Sequence, residues 1–234
     1  MVSGDRLSMW DARSGKLVSE ISCGGGPAQQ LAWSPDGEEI AVAVGGAIDF
    51  ISTRTLTKRH AIALDGEARP QFGFGGTGSK FFVATGDGID AYSYPDMALQ
   101  NGGAPSHSGT ITSLAFDVAG TRFATGGEDA CCILWTQGSL TPTACFAKFD
   151  HPVSCVAFDR SSRYLALGIR GDKQITVINV AYRTPIQVAT RGEHTPNALA
   201  WSPTADVLCW VGDTQKEGKK HAVISLMRIP HNKA

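Results

Sequence analysis

The chain has 234 residues, of which 42% are apolar and 18% are charged, and its formal net charge at pH 7 is −1. This balance excludes a disordered chain and a protein that coats nucleic acid or an anionic membrane over its whole surface. Every apolar run is shorter than the ~18–20 residues that a membrane helix needs. The 27 glycines and 11 prolines indicate frequent turns, which favours an all-β fold.

An internal repeat runs along the whole chain. In each copy a first apolar run contains an aromatic residue followed by a polar turn, and these aromatic residues recur at about 42-residue intervals at Trp33, Phe74, Phe116, Phe158 and Trp201. A second apolar run follows each turn, and a weaker fourth run follows most copies. The third run ends at Trp10, Ile51, Tyr92, Trp135, Ile178 and Met227. Because the runs alternate with period 2 and are rich in β-branched and aromatic residues, we expect strands and not helices.

Four short strands in a period of roughly 40–45 residues resemble the blades of WD40 β-propellers. A blade has two apolar faces that only neighbouring blades cover, so residues 1–234 are expected to form one all-β propeller domain. We predict about five blades, four of them complete and the terminal ones partial, over 1–23, 27–65, 66–102, 107–149, 150–190 and 194–230. WD40 rings usually have seven blades, and this chain starts and ends on a third strand. The resemblance therefore implies a portion of a seven-bladed ring that lacks its first blades, and an unusual small closed ring is the alternative.

One blade carries the polar signature of the WD40 family in full. It has His107 before its first strand, Thr125 on the second, Asp129 in the next turn and Trp135 on the third. In WD40 blades such a set forms a hydrogen-bond chain that ties the loops to the sheet, so the resemblance implies a structural tetrad. A catalytic Asp–His pair is the competing interpretation.

Four longer sequence segments restrict the resemblance to a smaller group of WD40 proteins. It is carried by DRLSMWDARSGKLVSEI (5–21), AYSYPDM (91–97), FAKFDHPV (146–153) and TQKEGKKH (214–221), which are similar to the WD40 subunits of the THO complex. The resemblance implies a non-catalytic scaffold in the nucleus, within the transcription–export (TREX) assembly that packages and exports mRNA. The implied partners are the large helical THO subunits. An RNA helicase, an export adaptor and mRNA are reached indirectly, and neither a cofactor nor a membrane is implied.

A short motif supports an alternative function. WDAR (10–13) has the Trp-Asp-x-Arg form of WD40 substrate receptors that dock on the adaptor of a cullin-RING ubiquitin ligase. That function requires Arg13 to be exposed on the bottom rim of the propeller. Short motifs of this kind also occur widely without the function.

Two basic segments are candidate contacts for a partner or for RNA phosphates. The first is the insertion 214–221 in the last blade, with Lys216, Lys219 and Lys220, and the second is 53–60, with Arg54, Lys58, Arg59 and His60. Neither segment interleaves aromatic residues for base stacking, so we expect each of them to be a solvated loop.

The enzyme hypothesis finds little support in motifs. GFGGTG (73–78) satisfies the dinucleotide pattern, but a strand-like run follows it where a helix is needed. The six cysteines include no Cys-x-x-Cys, and the adjacent Cys131 and Cys132 point to opposite faces of a strand. We therefore predict no catalytic, metal or cofactor-binding residue. An enzyme that used the central channel would need polar residues converging there.

Overall fold

The computed structural model describes residues 2–3, 6–64, 69–146, 149–188, 195–216 and 219–229. Every regular element among them is a β-strand. The strands form six sheets, and those neighbours whose register is defined run antiparallel. The all-β prediction is confirmed. The described residues contain no helix that is long and apolar enough to cross a membrane.

The first three sheets are meanders, in which strands that follow each other along the chain are neighbours in the sheet. Their strands are β1 (Val2–Ser3), β2 (Arg6–Trp10), β3 (Leu17–Ser22), β4 (Gln30–Trp33), β5 (Glu39–Val44), β6 (Ala47–Ser52), β7 (Lys58–Ala63), β8 (Gln71–Phe74), β9 (Lys80–Thr85), β10 (Gly88–Ser93) and β11 (Leu99–Pro105). The first sheet has three strands and the next two have four.

The last three sheets repeat the same meander. Their strands are β12 (Ile111–Phe116), β13 (Arg122–Gly127), β14 (Cys132–Thr136), β15 (Thr141–Phe146), β16 (Val153–Phe158), β17 (Tyr164–Ile169), β18 (Ile175–Asn179), β19 (Thr184–Val188), β20 (Thr195–Trp201), β21 (Val207–Lys216) and β22 (Lys219–Arg228). Two of these sheets have four strands and the last has three.

The chain divides into two compact units. Unit 1 comprises 1–74, 78–85 and 90–102, and unit 2 comprises 75–77, 86–89 and 103–234. The single propeller domain and its blade boundaries stay a prediction.

In sheets β4–β7, β12–β15 and β16–β19 the second strand is the most deeply buried. Every residue of β5 and of β17 is buried, and all of β13 is buried except its first residue. A strand with neighbours on both sides and packing on both faces favours a continuous apolar run, as in YLALGI. The outermost strands β7 and β15 are mostly exposed, and their sequences are more polar.

Each unit has its own core. In unit 1 the rings of Phe50 and Phe81 meet edge-to-face with their centroids 4.8 Å apart, in a cluster that joins β4–β7 to the following sheet. In unit 2, Leu134 from one sheet and Leu165 and Leu167 from the next belong to one buried cluster. These clusters cover the faces that an isolated sheet would expose.

The last sheet corrects the expectation of a loop at 214–221. β21 and β22 are ten residues long, and their pairing continues through Gln215 with Lys220 and Lys216 with Lys219. The buried Leu208 and Trp210 set the register nearer the base of the hairpin. Backbone hydrogen bonds do not depend on side-chain polarity, so the ladder extends into the polar residues.

Candidate functional site

The four residues of the predicted tetrad meet in sheet β12–β15. The Asp129 carboxylate accepts a hydrogen bond from His107 Nδ1–H, with 3.0 Å between Nδ1 and each oxygen. His107 Nε2 lies 2.8 Å from Thr125 Oγ1, and Trp135 Nε1–H donates to that same oxygen at 2.9 Å. The Thr125 hydroxyl therefore links the histidine ring to the tryptophan ring, and the four side chains form one chain of hydrogen bonds.

Asp129 also holds the turn between β13 and β14. Its carboxylate accepts the backbone N–H of Ser108 at 2.9 Å and that of Cys131 at 3.1 Å. Burial acts to raise the pKa of Asp129, but the hydrogen bonds from His107 and Ser108 outweigh it and hold the pKa below its ordinary value. The carboxylate therefore joins the loop ahead of β12 to the β13–β14 turn, which lies at the same end of the sheet.

The backbone at Gly127 leaves space for this network. A Cβ at that position would lie 2.5 Å from His107 Nδ1 and 2.6 Å from Asp129 Oδ1. No side chain larger than hydrogen fits there unless the pair moves apart. The second glycine of TGGED (125–129) is therefore required by the packing of His107 and Asp129.

The tetrad contains the hydroxyl, histidine and aspartate of a catalytic triad, but a substrate cannot reach these side chains. The Thr125 side chain is completely buried, and His107 is 5% exposed. The Trp135 ring covers this end, stacked on Phe123 with 5.8 Å between centroids. A nucleophile needs room for a substrate atom beside it, and this hydroxyl already has two partners. We infer that the tetrad serves to hold the loop and not to react.

The next sheet replaces all four residues. Strands β12 and β16 start in matching registers, with Ile111 opposite Gly127 and Val153 opposite Ile169. By that register the positions of the tetrad are occupied in sheet β16–β19 by Phe149, Leu167, Gly171 and Ile178. Phe149, Leu167 and Ile178 belong to one apolar cluster.

Arg13 lies in the turn between β2 and β3, and its side chain is exposed. The turn is closed by Asp11, whose Oδ1 accepts Ser14 N–H at 2.6 Å and Ser14 O–H at 2.5 Å. These two bonds lower the pKa of Asp11. The Arg13 guanidinium forms no ion pair with any residue that the structure describes.

The two basic segments differ in what the structure shows. Lys216 and Lys219 pair at the tip of the β21–β22 hairpin and Lys220 follows, but the side chains of all three lie outside the described residues. The other segment is a loop only up to residue 57, because strand β7 begins at Lys58 and pairs with β6. There Lys58 Nζ lies 2.7 Å from Asp49 Oδ1, and Arg59 Nη1 lies 3.4 Å from Glu39 Oε1. Arg54 and His60 are exposed.

Sequence reasoning missed the buried carboxylate at Glu39, which is 2% exposed. Tyr94 O–H donates to its Oε2 at 3.0 Å. Burial and this bond raise the pKa of Tyr94 to about 12. In the sequence Glu39 looks like a solvated turn residue, and its tyrosine partner lies 55 positions away. A single sequence gives no signal for such a pair.

The described residues contain no group of three or more His, Cys, Asp or Glu side chains arranged to hold a metal ion. The cysteines at 23, 131, 132, 145, 155 and 209 are free thiols. Burial and the nearby Asp129 raise the pKa of Cys131 to about 11, so its thiol is protonated at neutral pH.

Comparison with known proteins identifies one blade by sequence. The family model described as "WD domain, G-beta repeat" matches residues 103–136. That segment contains the whole tetrad. The match coincides with the one described sheet in which the four polar residues occur together.

Curated relatives are similar over most of the chain. Arabidopsis thaliana "THO complex subunit 3" is 28% identical over 90% of this chain and 66% of its own length. Schizosaccharomyces pombe "WD repeat-containing protein slp1" is 27% identical over 83% of this chain and 40% of its own. Mouse "Telomerase protein component 1" is 25% identical over 72% and 6%. The chain thus spans about two thirds of the first relative and much less of the others.

A solved structure shows the same fold. A chain in "Crystal Structure of Mitotic Checkpoint Complex" superposes with a TM-score of 0.76 at 20% identity, over 98% of this chain and 74% of that one. Together with the family match, this confirms that the four-stranded sheets are blades of the WD40 propeller type.

Proposed function

We propose that this chain is a WD40-repeat protein that serves as a non-catalytic scaffold subunit of the nuclear THO complex. In this role its blades bind the large helical subunits, and the complex supports mRNA packaging and export. The RNA helicase, the export adaptor and mRNA are reached through those subunits. Membership of a seven-bladed ring remains a prediction.

The observation that carries the proposal is the similarity to "THO complex subunit 3" over 90% of the chain. That similarity extends far beyond 103–136, the segment that the WD40 family model matches. Blade folds alone host many unrelated roles, so the extent of the similarity is what favours this one.

The geometry supports binding over catalysis. In the blade with the most polar residues, the donors and acceptors are used within the sheet. The acidic turn residues are used in the same way: Asp117 accepts the N–H groups of Thr121 and Arg122, and Asp159 accepts that of Tyr164. Polar groups that are already paired stabilise the fold and leave the outer surfaces for partners.

The test is purification of the tagged endogenous protein from nuclear extract after nuclease treatment, followed by mass spectrometry. The proposal predicts recovery of the large THO subunits in near-equal amounts, unaffected by nuclease. Recovery of a cullin-ligase adaptor in their place, or of no stable companion, would overturn it. The mass of the tagged protein would also show whether further blades belong to it.

The ubiquitin-ligase alternative is kept because Arg13 is exposed in a well-formed turn. It predicts that Arg13→Ala removes the ligase adaptor from the purified material. Lys16→Ala is a matched control, since Lys16 is an exposed cation in the same turn region. If Arg13→Ala leaves THO subunits bound and no adaptor is found in either sample, the alternative fails.

A further inference from the structure

One end of unit 2 carries a surface of arginine side chains, and it lies opposite to the end that holds the tetrad. This surface is built from the turns that follow β12, β16, β18 and β20 and from the end of β22. Because neighbouring strands are antiparallel, these turns lie at one end of their sheets and the turn of Asp129 lies at the other. We call it the arginine surface, and it comprises Arg122, Arg160, Arg163, Arg183 and Arg228 together with Val118 and Tyr182.

Hydrogen bonds join the first three of these turns. Ser162 Oγ accepts the backbone N–H of Val118 at 3.1 Å, and the Ser162 carbonyl oxygen accepts Arg122 Nη2–H at 3.2 Å. The turns after β12 and β16 are therefore in contact. The carbonyl oxygen of Arg163 accepts the N–H of Val180 at 2.9 Å, which adds the turn after β18.

The same surface reaches the last sheet. Arg160 Nε lies 3.4 Å from Oδ1 of Asp206, in the turn after β20. The backbone oxygen of Asp206 accepts the N–H of Ile229 at 2.9 Å, next to Arg228 at the end of β22. The arginine surface is therefore continuous across the last three sheets.

The carboxylates at this end are used within the fold. Asp117 and Asp159 are 3% and 2% exposed. Each accepts backbone N–H groups of its own turn, at 2.7 to 3.1 Å. Asp206 pairs with Arg160. These three carboxylates stabilise the turns, so they do not neutralise the arginines that remain.

Three arginines of the surface have no charged partner among the described residues. All three are exposed, and none forms an ion pair or a side-chain hydrogen bond there; they are Arg163, Arg183 and Arg228. Residues 230–234 continue the chain from this end and lie outside the described residues, but they contain no aspartate or glutamate. The three guanidinium groups therefore keep donors that can form two parallel hydrogen bonds with one carboxylate.

Two apolar side chains project from the same turns. Tyr182 is 75% exposed and precedes Arg183, and Val118 is 70% exposed in the turn that contacts the turn of Arg163. Covering such side chains stabilises a complex. A ligand that fits the surface brings anionic and apolar groups together. A nucleic acid would bring phosphates, but a single tyrosine offers little surface on which successive bases could stack.

We propose that the arginine surface is a docking site for an acidic segment of a partner protein, with apolar residues among its carboxylates. The carboxylates pair with Arg163, Arg183 and Arg228, while the apolar side chains cover Tyr182 and Val118. A single exposed ion pair contributes little, so binding depends on several pairs together and weakens as salt rises. The proposal goes beyond the THO assignment, because it rests on this surface and holds whichever complex contains the chain.

The test starts from a displayed library of random twelve-residue peptides selected on the full chain. We expect the selected peptides to share aspartate or glutamate at several aligned positions, beside an aromatic or aliphatic residue. The best of them, synthesised with a fluorescent label, is titrated with the protein at low and at high salt. Replacing its acidic residues with their amides is expected to weaken binding about tenfold or more. A labelled oligouridylate of the same length is the probe for nucleic acid, and it should bind about tenfold more weakly than the peptide.

Variants of the protein locate the site. Arg163→Gln with Arg183→Gln is expected to weaken binding of the labelled peptide about tenfold or more. Lys16→Gln with Lys173→Gln removes the same charge from exposed positions outside the surface and should change binding less than about twofold. Tyr182→Ser removes the exposed ring and should weaken binding about threefold. Thermal unfolding of each variant checks that it folds.

Three results would overturn the proposal. The selection yields no shared acidic residues, the oligouridylate binds as tightly as the peptide, or the Arg163 and Arg183 variant binds the peptide as the wild type does. None of these results depends on the nuclear purification. The docking site and the THO assignment can therefore fail separately.

Discussion

Sheets β12–β15 and β16–β19 lie next to each other in unit 2 and share one apolar cluster, yet they hold the loop ahead of their first strand in different ways. The first uses a hydrogen-bond chain from Asp129 through His107 and Thr125 to Trp135. The second has Phe149 and Gly171 at the first two of those positions and a cavity beside them. In the closed sheet, β12–β15, hydrogen bonds between side chains hold the loop, and the open sheet, β16–β19, lacks these bonds.

The largest effect is expected from Gly127→Ala in the closed sheet. The added Cβ would meet His107 and Asp129 at 2.5 and 2.6 Å, so the network must separate. Overpacking together with loss of the hydrogen bonds should reduce the free energy of unfolding by about 4 kcal/mol. Denaturant titration measures this change.

Gly138→Ala is the control, because nothing lies within 4 Å of a Cβ at that position. Its free energy of unfolding should change by less than about 0.5 kcal/mol. Equal effects of the two substitutions would show that Gly127 is not a packing requirement of the tetrad.

His107→Phe copies the residue of the open sheet into the closed one. It leaves the Asp129 side chain, which is 8% exposed, without its imidazole partner, and leaves Thr125 with one partner fewer. A loss of about 3 kcal/mol is expected, since a buried charge that loses its partner is costly. If His107→Phe is as stable as the wild type, a phenylalanine at this position holds the loop as well as the hydrogen-bonded histidine does. Denaturant titration decides between these results.

Asp129→Asn tests the charge of the network and its pH dependence. Loss of the charge-assisted bonds from His107 and Ser108 should lower the free energy of unfolding by about 2 kcal/mol at pH 7. The folded-state pKa of Asp129 is lowered, so its contribution is complete above the ordinary carboxyl value near 3.8. The contribution disappears as pH falls from there through the lowered folded-state pKa.

Unfolding of both proteins across acidic pH measures that dependence. The difference between wild type and variant should be constant from pH 7 to about 5 and should shrink below the ordinary carboxyl pKa. A difference that grows on acidification would contradict the sign of the pKa shift.

The smallest effect is expected from Trp135→Phe. It removes the indole N–H donor to Thr125 but keeps an aromatic ring that can stack on Phe123. A loss of about 1 kcal/mol is expected, typical of one neutral hydrogen bond. Trp33→Phe is the control, because Trp33 is 54% exposed and should change stability little. Calorimetric unfolding measures the stability of both variants. A larger loss of stability in Trp33→Phe than in Trp135→Phe would contradict the role given to the Trp135 hydrogen bond.

The sequence predicted most of the fold and the residues of the closed sheet. The 42-residue period identified the strands because buried second strands such as YLALGI leave strong apolar runs. The tetrad was predicted because its four residue types occur at the family's spacing, and hydrogen bonds join the four side chains in the structure. Local pattern and tertiary contact agree there.

Other features had no local pattern. Strand β11, LQNGGAP, lacks an alternating apolar run, and its pairing comes from the adjacent β10. The extended hairpin at 214–221 depends on a register set by Leu208 and Trp210 farther down the strand. The cavity beside Phe149 is lined by residues that do not belong to the family pattern, so no sequence pattern indicated it.

Hydrogen exchange of the wild-type chain tests most directly the claim that one sheet is closed and the next is open. The account predicts that amides of residues 107–111 and 127–131 exchange at least about tenfold more slowly than those of 149–153 and 169–173, because the tetrad opposes local opening. Equal rates in the two sheets, or slower exchange in the second, would contradict it.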